Sequence, residues 1–531
     1  MSSSIDVDLK EDNASKLLNQ EIDLDKPGEG QHYCLHCARY FINENAMQEH
    51  FRTKVHKRRM KALELEPYSI KESERAAGQG SFKEAKRRRI ETQALRVCRL
   101  HSAVRSYSSA LYVTGQKASE TFAFLTPHFD CKSRFENVTK LQENIDARGL
   151  SINAEKLKES WQFLQSVQAT KQQLETHRDE TAKKIKHLMK SDENDSQIKP
   201  LKILGKKIKE NLKMISKEIW DLEETVMLHF LQLPNDLHPD TPTDSDVIVA
   251  ENGIRASSQS ESHMEIAQQL GLLKYINPAC YYLENEAAEF EIALIQHVAS
   301  VMNGKQFILT SNPDFSKSLI VEGCGQVHTD ANSVFILQAN DGDFNPDACL
   351  HLVGGSSLAT FSAFFAKHET KLSDQPLKLC SIGRHYSPPS VNSTKSLFDV
   401  SQSTTAELFI AGPNCQTQTM QSVDSALEVL QGLYKDLDLH FRVVRCNARQ
   451  LQAWESLRFS LQIFSCHSQS YVEVANVSHC GTYLSKRLLM KYRDSHKQDF
   501  LSVVVARAVS VPKLLACLLE EKRPLSSVVK L

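Results

Sequence analysis

Four metal-ligating side chains near the N-terminus have a regular spacing. Two residues separate Cys34 from Cys37, twelve separate Cys37 from His50, and five separate His50 from His56. Two thiolates on a tight turn and two imidazoles about one and a half turns apart on a helix can complete a tetrahedron around Zn2+. The spacing therefore predicts a zinc finger of the two-cysteine, two-histidine type.

Apolar and basic residues around these ligands support the same interpretation. Phe41 and Met47 occupy the positions that such a finger uses for its small core. The helix is expected to continue into a positive run, which we expect to contact phosphate through Lys57, Arg58 and Arg59. One finger covers only about three base pairs of DNA, so RNA or a ribonucleoprotein surface is favoured over a specific DNA site.

The C-terminal half offers no comparable catalytic set. Its histidines include His351, His385, His467 and His479. None of them is accompanied by a nucleophile and an acid in a recognisable catalytic arrangement. The glycine pair at 354–355 is too short a signal for a phosphate-binding loop. From these patterns we expect no catalytic residue.

Length and charge indicate a multidomain protein with unlike ends. The 531 residues allow two to four domains, and the formal net charge of −1 hides a strong local asymmetry. Residues 1–27 form an acidic stretch that we expect to be disordered, whereas residues 28–91 hold the finger and its basic extension. Thirteen mostly scattered cysteines indicate a reducing compartment, and no apolar run is long enough to predict a membrane span.

Residues 92–130 have an unusual composition for a linker. No acidic residue occurs from Thr92 to Ser119, while arginines and a lysine interrupt a run rich in serine and alanine. This composition is typical of a mitochondrial transit peptide. Two interpretations stay open: a plain flexible linker, or a junction between a nuclear finger protein and a mitochondrial protein that begins near residue 95.

Residues 131–242 are predicted to form a long helical hairpin. Apolar residues recur at three- and four-residue steps from Leu201 to Val226, and the stretch from Ser191 to Pro200 is expected to supply the turn. The hairpin tip is basic, and we expect it to bind RNA or, alternatively, to form a coiled coil with another protein. The candidate RNA-binding residues are Lys183, Lys184, Lys186, Lys206 and Lys207.

Residues 243–531 alternate short β-rich runs with helical stretches, which predicts an α+β domain built on an antiparallel sheet. Within it, an amphipathic helix from Ala287, a strand at 307–309 and Pro313 follow one another. Two interpretations stay open for this stretch: it joins two subunits, with Phe290, Ile295 and Pro313 in the dimer contact, or it is an ordinary helix and strand of the core.

The chain resembles seryl-tRNA synthetases from about residue 134 to 524. The similarity is carried in order by RFENVTKLQENIDARGL, HRDETAKKI, LQLPNDLHPDTP and QLGLLKYINPACYYLENEAAEFEIALIQH. The resemblance implies a class II aminoacyl-tRNA synthetase domain, a tRNA-binding arm in the hairpin, and a dimer-forming motif 1 at residues 287–326.

Measured against that family, the residues that perform adenylate chemistry are missing. The resemblance places Ser357 where a serine-binding glutamate is expected, and Ser387 and Pro389 where motif 2 has an arginine and a glutamate. Lys513 stands at the motif 3 arginine and lacks its bidentate fork. Glu473 and Arg487 match family residues, and Arg384 lies close to motif 2 but out of register.

A second resemblance covers residues 28–84. HYCLHCARYFINENAMQEHFRTKVHKRRMKAL and the following LEPYSIKESERAAGQGSF are similar to small zinc-finger proteins of large ribosomal subunit assembly. The resemblance implies pre-ribosomal particles as partners and a nuclear or nucleolar site for a separately made finger. The KRRR run at 86–89 is either an import signal or a solvated basic end.

Together the two resemblances predict a catalytically inactive synthetase paralogue joined to a finger, similar to the insect mitochondrial seryl-tRNA synthetase-like proteins. The resemblance implies dimerisation with itself or with the mitochondrial seryl-tRNA synthetase, binding of RNA or tRNA, and location in mitochondria from about residue 95 onward. Zn2+ is the expected cofactor and ATP binding is doubtful. The alternatives are an active serine-tRNA ligase with a diverged pocket, and a protein whose functional centre is the finger.

Overall fold

The computed structural model places the chain in two compact units, Met1–Tyr107 and Ser108–Leu531. The described residues are 26–27, 32–42, 46–47, 50–51, 53–63, 109–112, 125–190, 195–255, 260–337, 346–372, 375–390, 395–493 and 498–528. Most of the predicted acidic tail, the KRRR run and most of the transit-like segment lie outside these ranges.

The described part of the first unit is a small finger. Strands β1 (Tyr33–Cys34) and β2 (Arg39–Tyr40) pair in antiparallel fashion, and helix α1 spans Lys54–Leu63. The expected continuous helix through both histidines is wrong, because Thr53 interrupts it: its Oγ1 donates to His50 O at 2.7 Å and accepts from His56 N at 3.2 Å. Six residues of unbroken helix would rotate the second imidazole by about 240° from the first. The break lets both face the same side.

The second unit begins with helices α2 (Cys131–Glu136), α3 (Val138–Ala147), α4 (Ala154–Lys190) and α5 (Asp195–Gln232). Helices α4 and α5 form the predicted hairpin, with Ile208, Leu212, Ile219 and Val226 buried along the seam. The turn is shorter than expected, because α5 begins five residues before Pro200. Leu204, which the periodicity assigns to the seam, is exposed.

An eight-stranded sheet forms the body of this unit. Its strands are β3 (Val247–Asn252), β6 (Ile308–Thr310), β11 (Leu377–Tyr386), β12 (Gln402–Gly412), β13 (Phe441–Arg445), β14 (Leu457–Ser465), β15 (Ser470–Gly481) and β18 (Ser502–Ser510). They lie in the order β3-β13-β14-β15-β18-β12-β11-β6. All neighbours are antiparallel except β6 and β11. This is the predicted α+β sheet.

Shorter strands lie around the main sheet. A hairpin joins β4 (Leu273–Asn277) to β5 (Cys280–Leu283), and a three-stranded sheet has the order β7 (Phe315–Lys317), β9 (Leu350–Leu352), β8 (Phe335–Leu337). Another contains β10 (Glu369–Lys371), β16 (Lys491–Arg493) and β17 (Gln498–Phe500).

Helices cover the two faces of the sheet differently. The further helices are α6 (His263–Gln269), α7 (Glu286–Gly304), α8 (Ser318–Gly323), α9 (Leu358–Phe365), α10 (Gln416–Asp436), α11 (Tyr483–Leu488) and α12 (Val511–Glu520). Residues of α7, α10 and α12 share one large apolar core with the sheet, including Leu408, Val477 and Ala506. Because strand side chains alternate, Glu407 and Arg507 point to the opposite face.

Part of the predicted linker belongs to the second unit. Ala110, Leu111 and Leu125 are buried, and His128 N donates to Lys486 O at 2.8 Å. The interpretation of 92–130 as a linker is therefore wrong for residues 109–112 and 125–130. Among the described residues, no helix combines the length and the apolar character that crossing a bilayer requires.

Candidate functional site

The finger brings its four predicted ligands together. The ligand atoms of Cys34, Cys37, His50 and His56 all lie within 4.8 Å of one another. Cys37 Sγ is 3.5 Å from His56 Nδ1, which is 3.2 Å from His50 Nε2. Burial raises the pKa of the Cys34 thiol to about 12, so its thiolate needs a cation beside it. This donor set fits tetrahedral Zn2+.

The small core and the basic run lie around this centre. The rings of Phe41 and His50 are 4.6 Å apart, and Met47 is buried. On α1, Lys57 and Arg58 are exposed and Arg59 is partly exposed. All three cations are therefore accessible to a phosphate backbone.

A charged cleft of about 280 Å³ lies on the face of the sheet away from the large core. Alternation along β12, β14, β15 and β18 brings polar side chains to it. Its wall includes Ser357, His385, Ser387, Glu407, Trp454, Glu455, Arg458, Asn476, Ser478 and Arg507.

The arginines of this cleft are paired with carboxylates. Arg507 Nε lies 3.2 Å from Glu407 Oε2. Arg458 bridges two acids, with Nη2 at 2.5 Å from Glu473 Oε1 and Nη1 at 3.4 Å from Glu455 Oε1. Glu455 also accepts from Ser478 Oγ at 2.6 Å. Charge-assisted hydrogen bonds of this kind are strong, so both guanidinium groups are held by the protein itself.

Burial and these pairs shift the pKa values of the cleft. Burial raises the pKa of Glu407 despite the opposing charge of Arg507. Burial also opposes ionisation of Glu473, but Arg458 and hydrogen bonds outweigh it and lower the pKa of that carboxyl. Burial, followed by the charges of Arg507 and Lys513, lowers the pKa of His385 to about 3. The histidine is therefore neutral near pH 7.

The positions assigned to a lost catalytic site are only partly adjacent. Ser357 and Ser387 line the cleft, and Ser357 caps α9 by accepting from Thr360 N at 3.4 Å. Lys513 is partly buried on α12, where burial lowers its pKa more than the charge of Glu473 raises it. Pro389 is partly buried and is not among the lining residues.

The two family-like residues and the neighbouring arginine have different surroundings. Arg487 is buried and donates to Leu231 O at 2.9 Å and to Leu233 O at 3.1 Å, so it anchors the end of the hairpin. Arg384 lies 3.6 Å from Glu291 on α7 and is not among the cleft-lining residues. Its side chain is therefore directed to α7.

Sequence reasoning missed the cleft pairs. Glu407, Glu455, Arg458 and Arg507 carry no recognisable motif in this chain. The available signal was a charged residue within an apolar strand, as in TAELFIAGP and VVVARAVSV. A buried charge in such a strand indicates a nearby partner, but it does not say which one.

The predicted dimer stretch requires a correction. Phe290 is completely buried in the core of its own unit, so its assignment to a subunit contact is wrong. Ile295 is partly exposed and Pro313 is exposed. The exposed apolar side chains here are Ile292 at 60%, Ile308 at 56% and Leu309 at 49%. The last two lie on β6, which forms one edge of the eight-stranded sheet.

The predicted basic tip of the hairpin is accessible. Lys183, Lys184 and Lys186 lie near the end of α4, and Lys206 and Lys207 lie near the start of α5. All five side chains are exposed. The antiparallel hairpin places both groups in the half of the arm that lies away from its base.

Two family models match separate parts of the chain. Residues 31–57 match a zinc-finger double-stranded RNA-binding family, and residues 352–522 match the tRNA synthetase class II core domain (G, H, P, S and T). The predicted zinc finger and the predicted class II synthetase domain are therefore confirmed.

Curated relatives agree with this division. The chain is 29% identical over 421 residues to the Serine--tRNA synthetase-like protein Slimp of Drosophila melanogaster, covering 78% of this chain and 88% of that protein. Over 384 residues it is 25% identical to the mitochondrial serine-tRNA ligase of Mus musculus, covering 68% and 73%. Over 89 residues it is 65% identical to the Zinc finger protein 593 homolog of Drosophila melanogaster, covering 17% of this chain and 54% of that protein. The chain thus spans about half the length of the finger relative.

Solved structures confirm the fold. The seryl-tRNA synthetase of Pyrococcus horikoshii superimposes with a TM-score of 0.67 at 17% identity, covering 75% of this chain and 95% of that structure. The cytoplasmic serine-tRNA ligase of Naegleria fowleri gives 0.63 at 16% identity, covering 74% and 93%. The second unit therefore has the class II synthetase architecture.

Proposed function

We propose that this chain, a seryl-tRNA synthetase-like protein with an N-terminal zinc finger, acts in mitochondria without aminoacylating tRNA. Its synthetase-like part pairs with a mitochondrial seryl-tRNA synthetase subunit or with a second copy of itself, and its arm holds RNA. The finger contributes a second RNA-binding element and, where it is made separately, works on pre-ribosomal particles in the nucleus.

The neutralised cleft is the observation that carries this proposal. Its described lining contains two carboxylates and two guanidinium groups, and each guanidinium is paired with an acid. Adenylate formation needs cations that are free to stabilise the charge developing on phosphate. Arg458 and Arg507 would have to leave Glu473 and Glu407 to do so.

The energetic consequence is large. Removing one preorganised contact of this kind costs about 3–4 kcal/mol in a transition state. Here the arginines of motifs 2 and 3 are replaced by Ser387 and Lys513, and the serine-binding glutamate is replaced by Ser357. Such losses do not add simply, but together they are sufficient to remove measurable serine activation.

The subunit contact is assigned to the edge that contains β6. Ile292, Ile308 and Leu309 are exposed side chains on neighbouring elements, and an edge strand also offers unpaired backbone groups. Burying this apolar patch against the corresponding patch of a second subunit would satisfy both, as in a two-fold symmetric contact.

RNA binding is assigned to the tip of the arm. Its exposed lysines gain affinity by releasing counterions from the phosphate backbone, and this gain does not depend on the state of the cleft. A subunit without catalytic activity can therefore still hold RNA for an active partner.

Serine-dependent pyrophosphate exchange by the purified full-length chain tests the central claim. We expect no exchange above background, with a mitochondrial serine-tRNA ligase as the positive control and circular dichroism to verify folding. Exchange that depends on serine would overturn the proposal and favour the alternative, an active ligase with a diverged pocket.

The compartment is tested separately by immunoblots of fractionated cells. Antibodies against residues 1–90 and 250–531 should both detect any intact chain of about 60 kDa. Mitochondrial enrichment of the C-terminal signal is expected. A purely nuclear or cytosolic C-terminal signal would contradict the mitochondrial role.

A further inference from the structure

Residues Ser109–Tyr112, which we call the N-terminal clamp, are fixed to a buried carboxylate. Glu322 on α8 is 1% exposed. Its Oε2 accepts from Leu111 N at 2.8 Å and from Ser109 Oγ at 3.0 Å. A segment of the transit-like stretch thus supplies two hydrogen-bond donors to the interior of the synthetase-like unit.

The clamp also has internal order. Ser109 Oγ accepts from Leu111 N at 3.1 Å and from Tyr112 N at 2.8 Å, which closes a tight turn. Leu111 is 2% exposed. The ring of Tyr112 lies 6.3 Å from that of Phe129, which precedes the first helix of the unit. The contact is therefore apolar as well as polar.

The carboxylate makes this contact important for stability. Each hydrogen bond that a buried carboxylate accepts offsets part of the cost of removing the carboxylate from water. His328 Nδ1 is 3.8 Å from Glu322 Oε2, and its Nε2 is 3.0 Å from Asp347 Oδ1. Removing the clamp would take away the two hydrogen bonds, at 2.8 and 3.0 Å, that Glu322 Oε2 accepts from it.

We propose that the clamp is the N-terminal boundary of the synthetase-like unit for proteolytic processing. Hydrolysis that removes the finger or a targeting leader occurs N-terminal to Ser109 and leaves Ser109–Tyr112 on the mature unit. The processing part of this proposal rests on the proposed mitochondrial role, whereas the structural role of the clamp does not.

The structural role is tested by cutting the full-length chain at chosen places. One variant carries a sequence-specific protease site between residues 100 and 101, and the other carries the same site in place of residues 113–118. The three tryptophans, Trp161, Trp220 and Trp454, all lie in the second unit, so their fluorescence reports its unfolding alone.

After cleavage, the first variant should keep its melting temperature. The second should lose about 5 °C, because docking of the clamp becomes bimolecular and loses a buried leucine and two hydrogen bonds to a carboxylate. A milder variant, Ser109→Ala, should melt lower than its neighbouring control Ser108→Ala. Equal melting temperatures after the two cuts would overturn the structural role of the clamp.

The processing site is tested by importing the full-length chain into isolated mitochondria and determining the mature N-terminus by mass spectrometry. A mature chain that begins at or before Ser109 is expected. One that begins at residue 110 or later would overturn the boundary. Failure of import would instead contradict the proposed mitochondrial role, and the cleavage experiment above would still decide the role of the clamp.

Discussion

Glu407 and Arg507 are directly opposite one another on β12 and β18, and their side chains form an ion pair of 3.2 Å across the ladder. They are one hundred positions apart in the chain. A free guanidinium at this place in the cleft would be suited to bind a phosphate. Here the guanidinium of Arg507 is already paired with the carboxylate of Glu407. The pair therefore has a structural role in joining β12 to β18, in addition to any role in binding.

Breaking this pair should destabilise the second unit. We expect Glu407→Ala to lower the free energy of unfolding by about 3 kcal/mol, near the low end for buried pairs because Arg507 is partly exposed. The double variant with Arg507→Ala should lose less than the sum of the single losses. Urea titration measures all three, and Glu428→Ala on the exposed side of α10 is the control, with a change within about 0.5 kcal/mol. Additive losses would mean that the pair contributes no coupling.

Acid should weaken the fold partly through His385. Its pKa is about 3 in the folded unit, against about 6.5 in an unfolded chain. The folded state therefore holds fewer protons between these values, and stability falls as the pH decreases from 6.5. Replacing it by asparagine should reduce the slope of unfolding free energy against pH by up to about 1.4 kcal/mol per unit. Urea titrations from pH 6.5 to 4.5 measure this, with the exposed His229→Asn as control. Parallel curves for the variant and the wild type would contradict it.

Zinc removal should unfold the finger alone. A chelator, or Cys37→Ser, should lower the zinc content below one ion per chain. Either change should also abolish amide protection in residues 32–63, because the small core depends on the metal. The exposed Cys415→Ser should retain the ion. Tryptophan fluorescence should not change in either case. Retention of protection in the finger after metal removal would contradict a structural zinc site.

Reversing the charge at the arm tip should weaken RNA binding. Changing Lys183, Lys184, Lys206 and Lys207 to glutamate should reduce the dependence of log affinity for tRNA on log salt by about 3, since each lost phosphate contact contributes roughly 0.7–0.9. Lys132→Glu with Lys156→Glu, near the body, provides the control. An unchanged salt dependence in the tip variant would move the RNA site elsewhere.

Periodicity made the hairpin and the sheet predictable, because one apolar seam and strongly β-forming runs leave few alternatives. It could not identify the cleft pairs, since Glu407 meets Arg507 only once the register of β12 and β18 is set. Phe290 shows the same limit in a helix. An apolar side chain on one face can serve a core or a partner, and only the packed unit shows that this one serves the core.

The finger was likewise predictable only in part. The ligand spacing identified the four residues, but an unbroken helix could not have brought His50 and His56 to one ion. The interruption at Thr53 depends on one hydroxyl, and no periodic pattern in the sequence predicts it.

The hairpin helices contain 37 and 38 residues, so at about 1.5 Å per residue the arm extends roughly 55 Å from its base. That length is several times the distance of about 8 Å over which salt screens charges. A charge substitution in the cleft is consequently screened from the tip, and a charge substitution at the tip is screened from the cleft. Natural selection can therefore change one end of such a molecule while it maintains the other.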